Sequence, residues 1–305
     1  MKKYLYKILG NLLILLFICF IFIYITQNNY WRNRLPVIKK NIAEENAQKT
    51  DTFSIVLGSS HAFLGIHTKH MQGKYLNLSS IGQSFQEDYI ILKRLKEIKL
   101  KYKTIILPYT FISNFHFLYN TPMVGNETRV YDYVKAYNYT YPLTPLHAKR
   151  HFLLLSEIGK ASLDFDFHHM LDSFGNLDNK CSGEKKINNF EDVWFRHSQA
   201  RDFNNSNAYF DSIIQFCKTN NKKIYFVVMP MTKRYYDSTL KTPFNRHLEK
   251  LISRNQSANI YFFDFRKYFS HEQEETMFYD EDHLSPCGRN VFSNSLDSAI
   301  RRTKQ

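Results

Sequence analysis

The sequence predicts an α/β domain built on a parallel sheet, preceded by a segment that is long and apolar enough to cross a membrane. The sheet is predicted because short apolar runs alternate with amphipathic segments from residue 53 onward. The membrane segment is predicted because the run from Ile8 to Thr26 is interrupted only by Gly10 and Asn11. At 305 residues the chain has room for an anchor and one large domain.

The N-terminal apolar run has the features of an uncleaved anchor. About 18 helical residues rise roughly 27 Å, which is close to the hydrocarbon thickness of a bilayer. A cleaved signal would have a shorter apolar centre and a small-x-small exit, and the three lysines before the run favour a cytoplasmic N-terminus. We therefore expect a cytoplasmic tail over 1–7, an anchor over 8–26, a stalk or a helix leaving the membrane over 27–52, and the rest outside the cytoplasm.

Each expected strand is a short apolar run. There are five: Phe53 to Leu57, Tyr75 to Leu78, Thr104 to Leu107, Ile224 to Met229, and Ile260 to Phe263. Apolar residues at helical spacing predict helices over Tyr89 to Ile98, Ala208 to Lys218, and Phe244 to Ser253. The last helix begins at Ser285-Pro286, because serine caps open N–H groups and proline suits the first turn.

Residues 115–207 interrupt this alternation and are expected to form a largely helical insertion. Such an insertion can build a lid or an acceptor-binding wall over a catalytic site, since functional surfaces often lie on inserts. A structural cap without substrate contact is the equal alternative.

Two short motifs at opposite ends of the chain supply a nucleophile, a base and an acid. Gly58-Ser59-Ser60-His61 follows the first strand, and Asp280-Glu281-Asp282-His283-Leu284 precedes the last helix. A serine hydroxyl attacks at neutral pH only when an imidazole removes its proton, and the imidazole needs a carboxylate to fix its tautomer. We predict that Ser60 is the nucleophile, His283 the base and Asp280 the acid.

Ser59 is the rival nucleophile. Asp282 is the rival acid, but adjacent side chains in a loop usually diverge, so Asp282 and Glu281 are expected to be solvated or loop-capping groups. His61, His67 and His70 lack a nearby carboxylate motif and are weak evidence for zinc. We expect no metal, and histidines that face solvent or substrate.

These motifs resemble those of the SGNH, or GDSL-like, hydrolase and acyltransferase superfamily. In that family the serine sits in a Gly-Asp-Ser block after the first strand, and Ser59 replaces the aspartate here. Asn77 to Ser84 resembles the second block, and the resemblance assigns the backbone N–H groups of Ser60 and Gly82 to an oxyanion hole. The third block, Gly-x-Asn-Asp, is missing, which leaves Asn114 as an open candidate for a further donor.

The resemblance implies a flavodoxin-like three-layer α/β/α fold over residues 53–305. Members with one N-terminal anchor resemble the acetyltransferases of exopolysaccharide and peptidoglycan and the D-alanyl transfer protein of teichoic acid synthesis. The implied activity is a bacterial, extracytoplasmic serine O-acyltransferase, with O-acetyl transfer to a cell-envelope polysaccharide, no cofactor, and a multi-pass membrane-bound O-acyltransferase as partner. A membrane-anchored carbohydrate esterase and a non-catalytic envelope assembly protein remain as alternatives.

Charge and cysteine content add little to this interpretation. The net charge of +13 suits an acidic glycan or an anionic lipid surface, although a compositional bias toward Lys, Asn and Ile accounts for it equally. No nucleic-acid motif is present, and an anchored chain argues against nucleic-acid binding. Cys19 lies in the anchor, Cys217 is expected to be buried on a helix, and a bridge between Cys181 and Cys287 stays open.

Overall fold

The computed structural model describes residues 10–18, 35–110, 171–177, 203–240, 244–254 and 257–303, with a few single positions before and between these ranges. Five parallel strands form one sheet in the order β2-β1-β3-β4-β5. They are β1 Phe53–Val56, β2 Tyr75–Asn77, β3 Tyr102–Tyr109, β4 Lys223–Val228 and β5 Ile260–Asp264. All five predicted strands are confirmed, and their order is the flavodoxin-like one.

Helices cover both faces of the sheet. They are α1 Leu35–Ala47, α2 Ser60–Gly65, α3 Phe85–Glu97, α4 Phe203–Thr219, α5 Lys233–Leu240, α6 Phe244–Arg254, α7 Glu274–Met277 and α8 Pro286–Arg302. The apolar side chains of α1, α3, α4 and α6 share one core with one face of the sheet, and those of α2 and α8 share a second core with the other face. The three-layer α/β/α arrangement is therefore confirmed.

The strands supply both cores because successive side chains point to opposite faces. Ile105 and Leu107 lie in the first core, whereas Ile106 lies in the second. All three side chains are fully buried, and burial of such a side chain stabilises a fold by about 1.5–3 kcal/mol. The near-continuous apolar runs in the sequence follow from a parallel sheet that is buried on both sides.

Capping residues define the helices that flank the site. Ser84 and Glu87 form a capping box at the start of α3. Ser285 accepts a hydrogen bond from the backbone N–H of Gly288 at 3.1 Å, and Pro286 is the first residue of α8. This predicted start of α8 places His283 in the loop that enters the helix.

The N-terminal part of the domain differs from the expected stalk over 27–52. Helix α1 packs against the α/β body, with Ala43 in the first core and Leu35 beside Phe63. Lys39 is buried, and its ammonium group donates to the backbone carbonyls of Asn77 and Gly175. The apolar face of α1 is the physical reason that residues 35–47 belong to the domain.

Residues 10–18 are helical, and the apolar side chains of residues 12–18 are more than half exposed. Within the described ranges, no helix combines the length and apolarity needed to cross a bilayer. Part of the segment predicted as an anchor over 8–26 lies outside the described residues. Most of the insertion predicted over 115–207 also lies outside them.

Residues 171–177, a described segment of the insertion, contact the edge of the sheet. The backbone carbonyl of Phe174 accepts a hydrogen bond from the N–H of Asn77 at 2.8 Å, at the end of β2. Leu177 packs against Phe63 of α2, with Ile81 alongside. This part of the insertion therefore lies beside the loop that carries Gly82.

Candidate active site

The site lies at the carboxyl ends of β1 and β3. The strand order reverses between these two strands, and open parallel sheets bind ligands in the crevice at such a switch point. The loop after β1 carries Ser59 and Ser60, so the serine motif stands at the position that the topology favours for chemistry.

The turn before Ser60 depends on Gly58. Its φ of +107° disfavours any residue with a side chain, and an added Cβ would come within 3.2 Å of Pro108. The backbone N–H of Gly58 donates to Oδ1 of Asp88 at 2.8 Å. Helix α2 begins at Ser60, with the Ser59 carbonyl accepting its first backbone hydrogen bonds, and Ser60 is thus fixed directly above β1.

The structure brings Ser60, His283 and Asp280 into one hydrogen-bonded chain. The Oγ atom of Ser60 lies 2.8 Å from Nε2 of His283. The Nδ1 atom of His283 lies 2.9 Å and 3.0 Å from the two carboxylate oxygens of Asp280. The side chains of His283 and Asp280 are 19% and 23% exposed, so the chain is partly open to an incoming substrate.

Asp280 also shapes the loop that presents His283. Its Oδ1 atom accepts hydrogen bonds from the backbone N–H groups of Asp282 at 3.1 Å and His283 at 2.8 Å. This side-chain turn curls the loop, so that the carboxylate of Asp282 also reaches Nδ1 of His283, at 3.1 Å. Asp282, expected to be a solvated or loop-capping group, instead contacts the rings of His283 and His61, because the turn reverses the usual divergence of neighbouring side chains.

The two carboxylates fix the state of His283. A carboxylate can only accept, so Nδ1 carries the hydrogen, and in the neutral ring Nε2 is free to accept the Ser60 proton. Burial alone would lower the pKa of His283, but Asp282 and Asp280 outweigh burial and raise the pKa to about 10. The neutral form that can act as a base is therefore favoured by alkaline conditions.

A second chain of the same residue types runs beside the first. Nε2 of His61 lies 2.9 Å from Oδ2 of Asp282, and Nδ1 of His61 lies 3.1 Å from the Ser59 hydroxyl. The rings of His61 and His283 stack with centroids 4.4 Å apart. His61 is buried rather than facing solvent, and its carboxylate partner is 221 positions away, a separation that no sequence spacing can reveal.

His61, Asp282 and His283 offer ligand atoms within 4.8 Å of one another. The imidazole nitrogens that face Asp282 lie 2.9 Å and 3.1 Å from its carboxylate oxygens, so hydrogen bonds account for this grouping. The separate pair of His67 and His70 makes an edge-to-face ring contact with centroids 5.2 Å apart.

Gly82 occupies a turn that requires glycine. The backbone N–H of Gln83 donates to the carbonyl of Ser80 at 3.1 Å, and Gly82 has a φ of +76°, as at the third position of a type II turn. Oδ1 of Asp88 accepts from the Gln83 side-chain amide at 2.6 Å as well as from Gly58. Asp88 thus ties the Gly82 turn to the serine turn.

Tyr133, a described residue of the insertion, donates its hydroxyl to Oε1 of Gln83 at 2.8 Å. The candidate donor Asn114 lies outside the described residues. The roles of Asp88, Gln83 and Tyr133 have no motif in the sequence, since burial of a polar group is visible only in the fold.

Glu281, expected to be solvated or loop-capping, is buried and fastens the loop. It accepts from the Thr232 hydroxyl at 2.5 Å, and Arg234 lies 3.7 Å away. A cavity of about 450 Å³ opens beside Asp280 and Glu281 and is also lined by Phe278 and Tyr279. Asp280 contributes to the wall of this cavity, whereas Ser60 and His283 are not among its lining residues.

The described cysteines differ in state. Cys217 is free and buried on α4, as predicted. Cys287, the second residue of α8, is disulfide-bonded. The first turn of the helix that follows the His283 loop therefore carries a covalent cross-link.

Comparison with known proteins leaves the site to be interpreted on its own geometry. No protein-family model and no curated protein matches the chain. Among solved structures, similarity extends to a candidate acylhydrolase from Bacteroides fragilis, at 12% identity and a TM-score of 0.41, over 86% of this chain and 95% of that one. A candidate platelet activating factor from Streptococcus pneumonia gives 10% identity and a TM-score of 0.38, over 86% and 91%. Likenesses this remote carry no argument about activity.

Proposed function

We propose that this chain is a serine-dependent enzyme that takes an acyl group from an ester or thioester onto Ser60. The observation that carries the proposal is the hydrogen-bonded chain from Ser60 through His283 to Asp280. Ordinary serines in turns do not have an imidazole at 2.8 Å whose other nitrogen is held by a carboxylate. Three residue types in this order are the arrangement that activates a hydroxyl.

The reaction follows from the geometry. Ser60 Oγ attacks the acyl carbonyl carbon while Nε2 of His283 takes the hydroxyl proton, and Asp280 stabilises the resulting imidazolium. When the tetrahedral adduct collapses, His283 returns the proton to the leaving alcohol or thiol, and an acyl-serine remains. An acceptor hydroxyl then attacks the carbonyl of this ester while His283 takes its proton. The bond from the acyl carbon to Ser60 Oγ breaks, and His283 returns the proton to Oγ, which restores the serine.

The oxyanion would be bound by backbone N–H groups. Ser60 is in the first turn of α2, where N–H groups have no acceptor within the helix. Gly82 offers the second donor on a turn that Asp88 holds against the serine loop. Each such donor is worth roughly 3 kcal/mol in comparable sites.

For the acceptor, we propose a sugar hydroxyl of a cell-envelope polysaccharide, outside the cytoplasm of a bacterium. The exposed apolar helical stretch over 10–18 supports membrane attachment, and the disulfide at Cys287 supports an oxidising compartment. In this proposal an O-acetyl group reaches the serine from a multi-pass membrane-bound O-acyltransferase. Transfer to water by the same acyl-serine would make the enzyme a carbohydrate esterase.

A fluorophosphonate probe tests the serine chemistry. We expect the wild-type protein to be labelled, Ser60→Ala to lose all labelling, and His283→Ala to be labelled far more slowly. Ser59→Ala is the matched control and should still be labelled, because it leaves the Ser60 chain intact. A folded wild-type protein without labelling would instead support a non-catalytic envelope protein.

The acceptor is tested with a labelled acetyl ester and a deacetylated envelope glycan. Label on the glycan, dependent on Ser60, supports transfer. Release of all label as free acetate, with none on the glycan, would show an esterase. Removal of residues 1–34 should release the protein from membranes without abolishing probe labelling.

A further inference from the structure

Two Ser–His–Asp chains lie side by side in the site and share one carboxylate. Oδ1 of Asp282 lies 3.1 Å from Nδ1 of His283, and Oδ2 lies 2.9 Å from Nε2 of His61. The two imidazole rings stack at 4.4 Å with an angle of 19° between their planes. His61 is thus in contact with the proposed base His283 and with one of the two carboxylates that face it.

The tautomer of His61 follows from its neighbours. Asp282 is strongly acidic: burial would raise its pKa, but His283 and His61 lower it well below the ordinary value. The ionised carboxylate can only accept, so Nε2 of His61 carries the hydrogen. The Ser59 hydroxyl then donates to Nδ1 at 3.1 Å, and Ser59 keeps His61 in the form that serves Asp282. This bond explains why the Ser59 side chain does not cap α2.

We propose that His61 is a positioning residue for the proposed acyl transfer: its Nε2–H holds one oxygen of Asp282 and thereby limits the charge that this carboxylate places on His283. The inference rests on the proposed function, because it assigns His61 a task in preparing the base for Ser60. Without His61, both Asp280 and Asp282 would still face the ring of His283, but Asp282 would lack the hydrogen bond that offsets part of its negative charge.

The groups around His283 define the expected direction. Asp280 and Asp282 face it from its own loop, and Ser60 and His61 face it from α2. From α5, Tyr235 hydrogen-bonds to Asp282 and carries no charge near neutral pH. Removing a donor from Asp282 should make its negative charge act more fully on His283. Removing the charge of Asp282 should do the opposite.

Two substitutions separate the hydrogen bond from the ring contact. His61→Phe keeps an aromatic ring over His283 but cannot donate, and we expect the His283 titration to move to higher pH by about one pH unit. His61→Gln loses the ring but keeps an N–H donor near the Nε2 position, and its titration should stay close to that of the wild type. His70→Gln is the matched control, because His70 is exposed and does not contact Asp282.

The measurement is NMR titration of the His283 ring, together with the pH dependence of kcat/KM for acyl transfer. Asp282→Asn should move both to lower pH, and adding His61→Phe to Asp282→Asn should cause no further movement, because His61 acts through Asp282. Unchanged titration in a folded His61→Phe protein, movement to lower pH, or additive effects in the double variant would overturn the inference. If the NMR results hold while every variant and the wild type lack activity, the proposed function has failed and the electrostatic coupling stands.

Discussion

Ser60 and His283 lie 2.8 Å apart in space and 223 positions apart in the chain. Their meeting is supported by packing: Leu284, next to the histidine, shares a core with Ala62 of the helix that begins at the serine and with Ile66, which follows that helix. The contact between Ser60 and His283 is therefore fixed by apolar burial on the α2 and α8 side of the sheet. Substitution of single polar side chains of the site should change the reaction rate while Ser60 and His283 stay in place.

Asp280 should be the more important of the two acids. Asp280→Asn keeps an oxygen for the backbone N–H groups of the loop but weakens the hold on Nδ1 of His283. We expect kcat/KM for a small ester to fall by about 10²-fold, less than the roughly 10⁴-fold known for a lone triad acid, because Asp282 partly substitutes. In the double variant Asp280→Asn/Asp282→Asn, kcat/KM should fall by the roughly 10⁴-fold of a lone triad acid. Equal activity of the double and single variants would contradict this.

The rate of Ser60 acylation should rise with pH well above neutrality. The carboxylates raise the pKa of His283 to about 10 against the opposing effect of burial, so the ring is protonated below that value and a base above it. A pH profile of kcat/KM, corrected with Ser60→Ala for uncatalysed hydrolysis, should show an ascending alkaline limb. A plateau that is complete below pH 7 would show that His283 titrates elsewhere.

Asp88 should stabilise the site because its side-chain oxygen accepts two buried hydrogen bonds, from Gly58 and Gln83. Asp88→Ala leaves the N–H of Gly58 and the amide of Gln83 without this acceptor. The free energy of unfolding should fall by about 1–3 kcal/mol for each buried donor. Asp88→Asn is the control, since its side-chain oxygen can still accept from both. Denaturant unfolding should show a large loss of stability for Asp88→Ala and a small loss for Asp88→Asn. The value of kcat should fall in the same order.

The same carboxyl predicts a pH dependence of stability. Burial raises the pKa of Asp88 to about 7, so the folded protein keeps a proton that the unfolded chain releases near pH 4. The wild type should therefore lose stability relative to Asp88→Asn as pH rises from about 4 to 7, and no further above that. A constant difference between the two proteins across this interval would contradict the assignment.

Gly82 should be needed for rate and not only for folding. Gly82→Ala and Gly73→Ala each place a side chain on a backbone with positive φ, at a cost of about 1–2 kcal/mol. Only the first disturbs the proposed oxyanion donor, so kcat should fall by about 10²-fold for Gly82→Ala and stay near wild type for Gly73→Ala. Equal kcat values in two folded proteins would remove Gly82 from the oxyanion hole.

Much of the fold could be predicted from the sequence, because a parallel sheet buried on both faces needs compact apolar runs. All five strands and the start of α8 are where those runs and Ser285-Pro286 indicate. Helices α2 and α5 were not predicted, since six or eight residues give too little periodicity. The packing of α1 was missed because its apolar face is small and carries the buried Lys39.

The site was predictable only where neighbouring residues in the sequence carry it. The step from Asp280 to His283 is local, and the contact of His283 with Ser60 follows from the order of motifs in the fold. The contact of His61 with Asp282 depends on the curl that Asp280 imposes on its loop. No spacing rule describes that curl, and only the three-dimensional arrangement reveals it.

The most direct measurement is the mass of the acyl-enzyme formed with an activated acetyl ester and quenched in acid. We expect the wild-type protein to gain the mass of one acetyl group, and fragmentation of the peptide that contains Gly58 to His61 should place it on Ser60. His283→Ala should not gain it at a comparable rate. An acetyl group on Ser59, or none on a folded protein over the full pH range, would contradict the central claim.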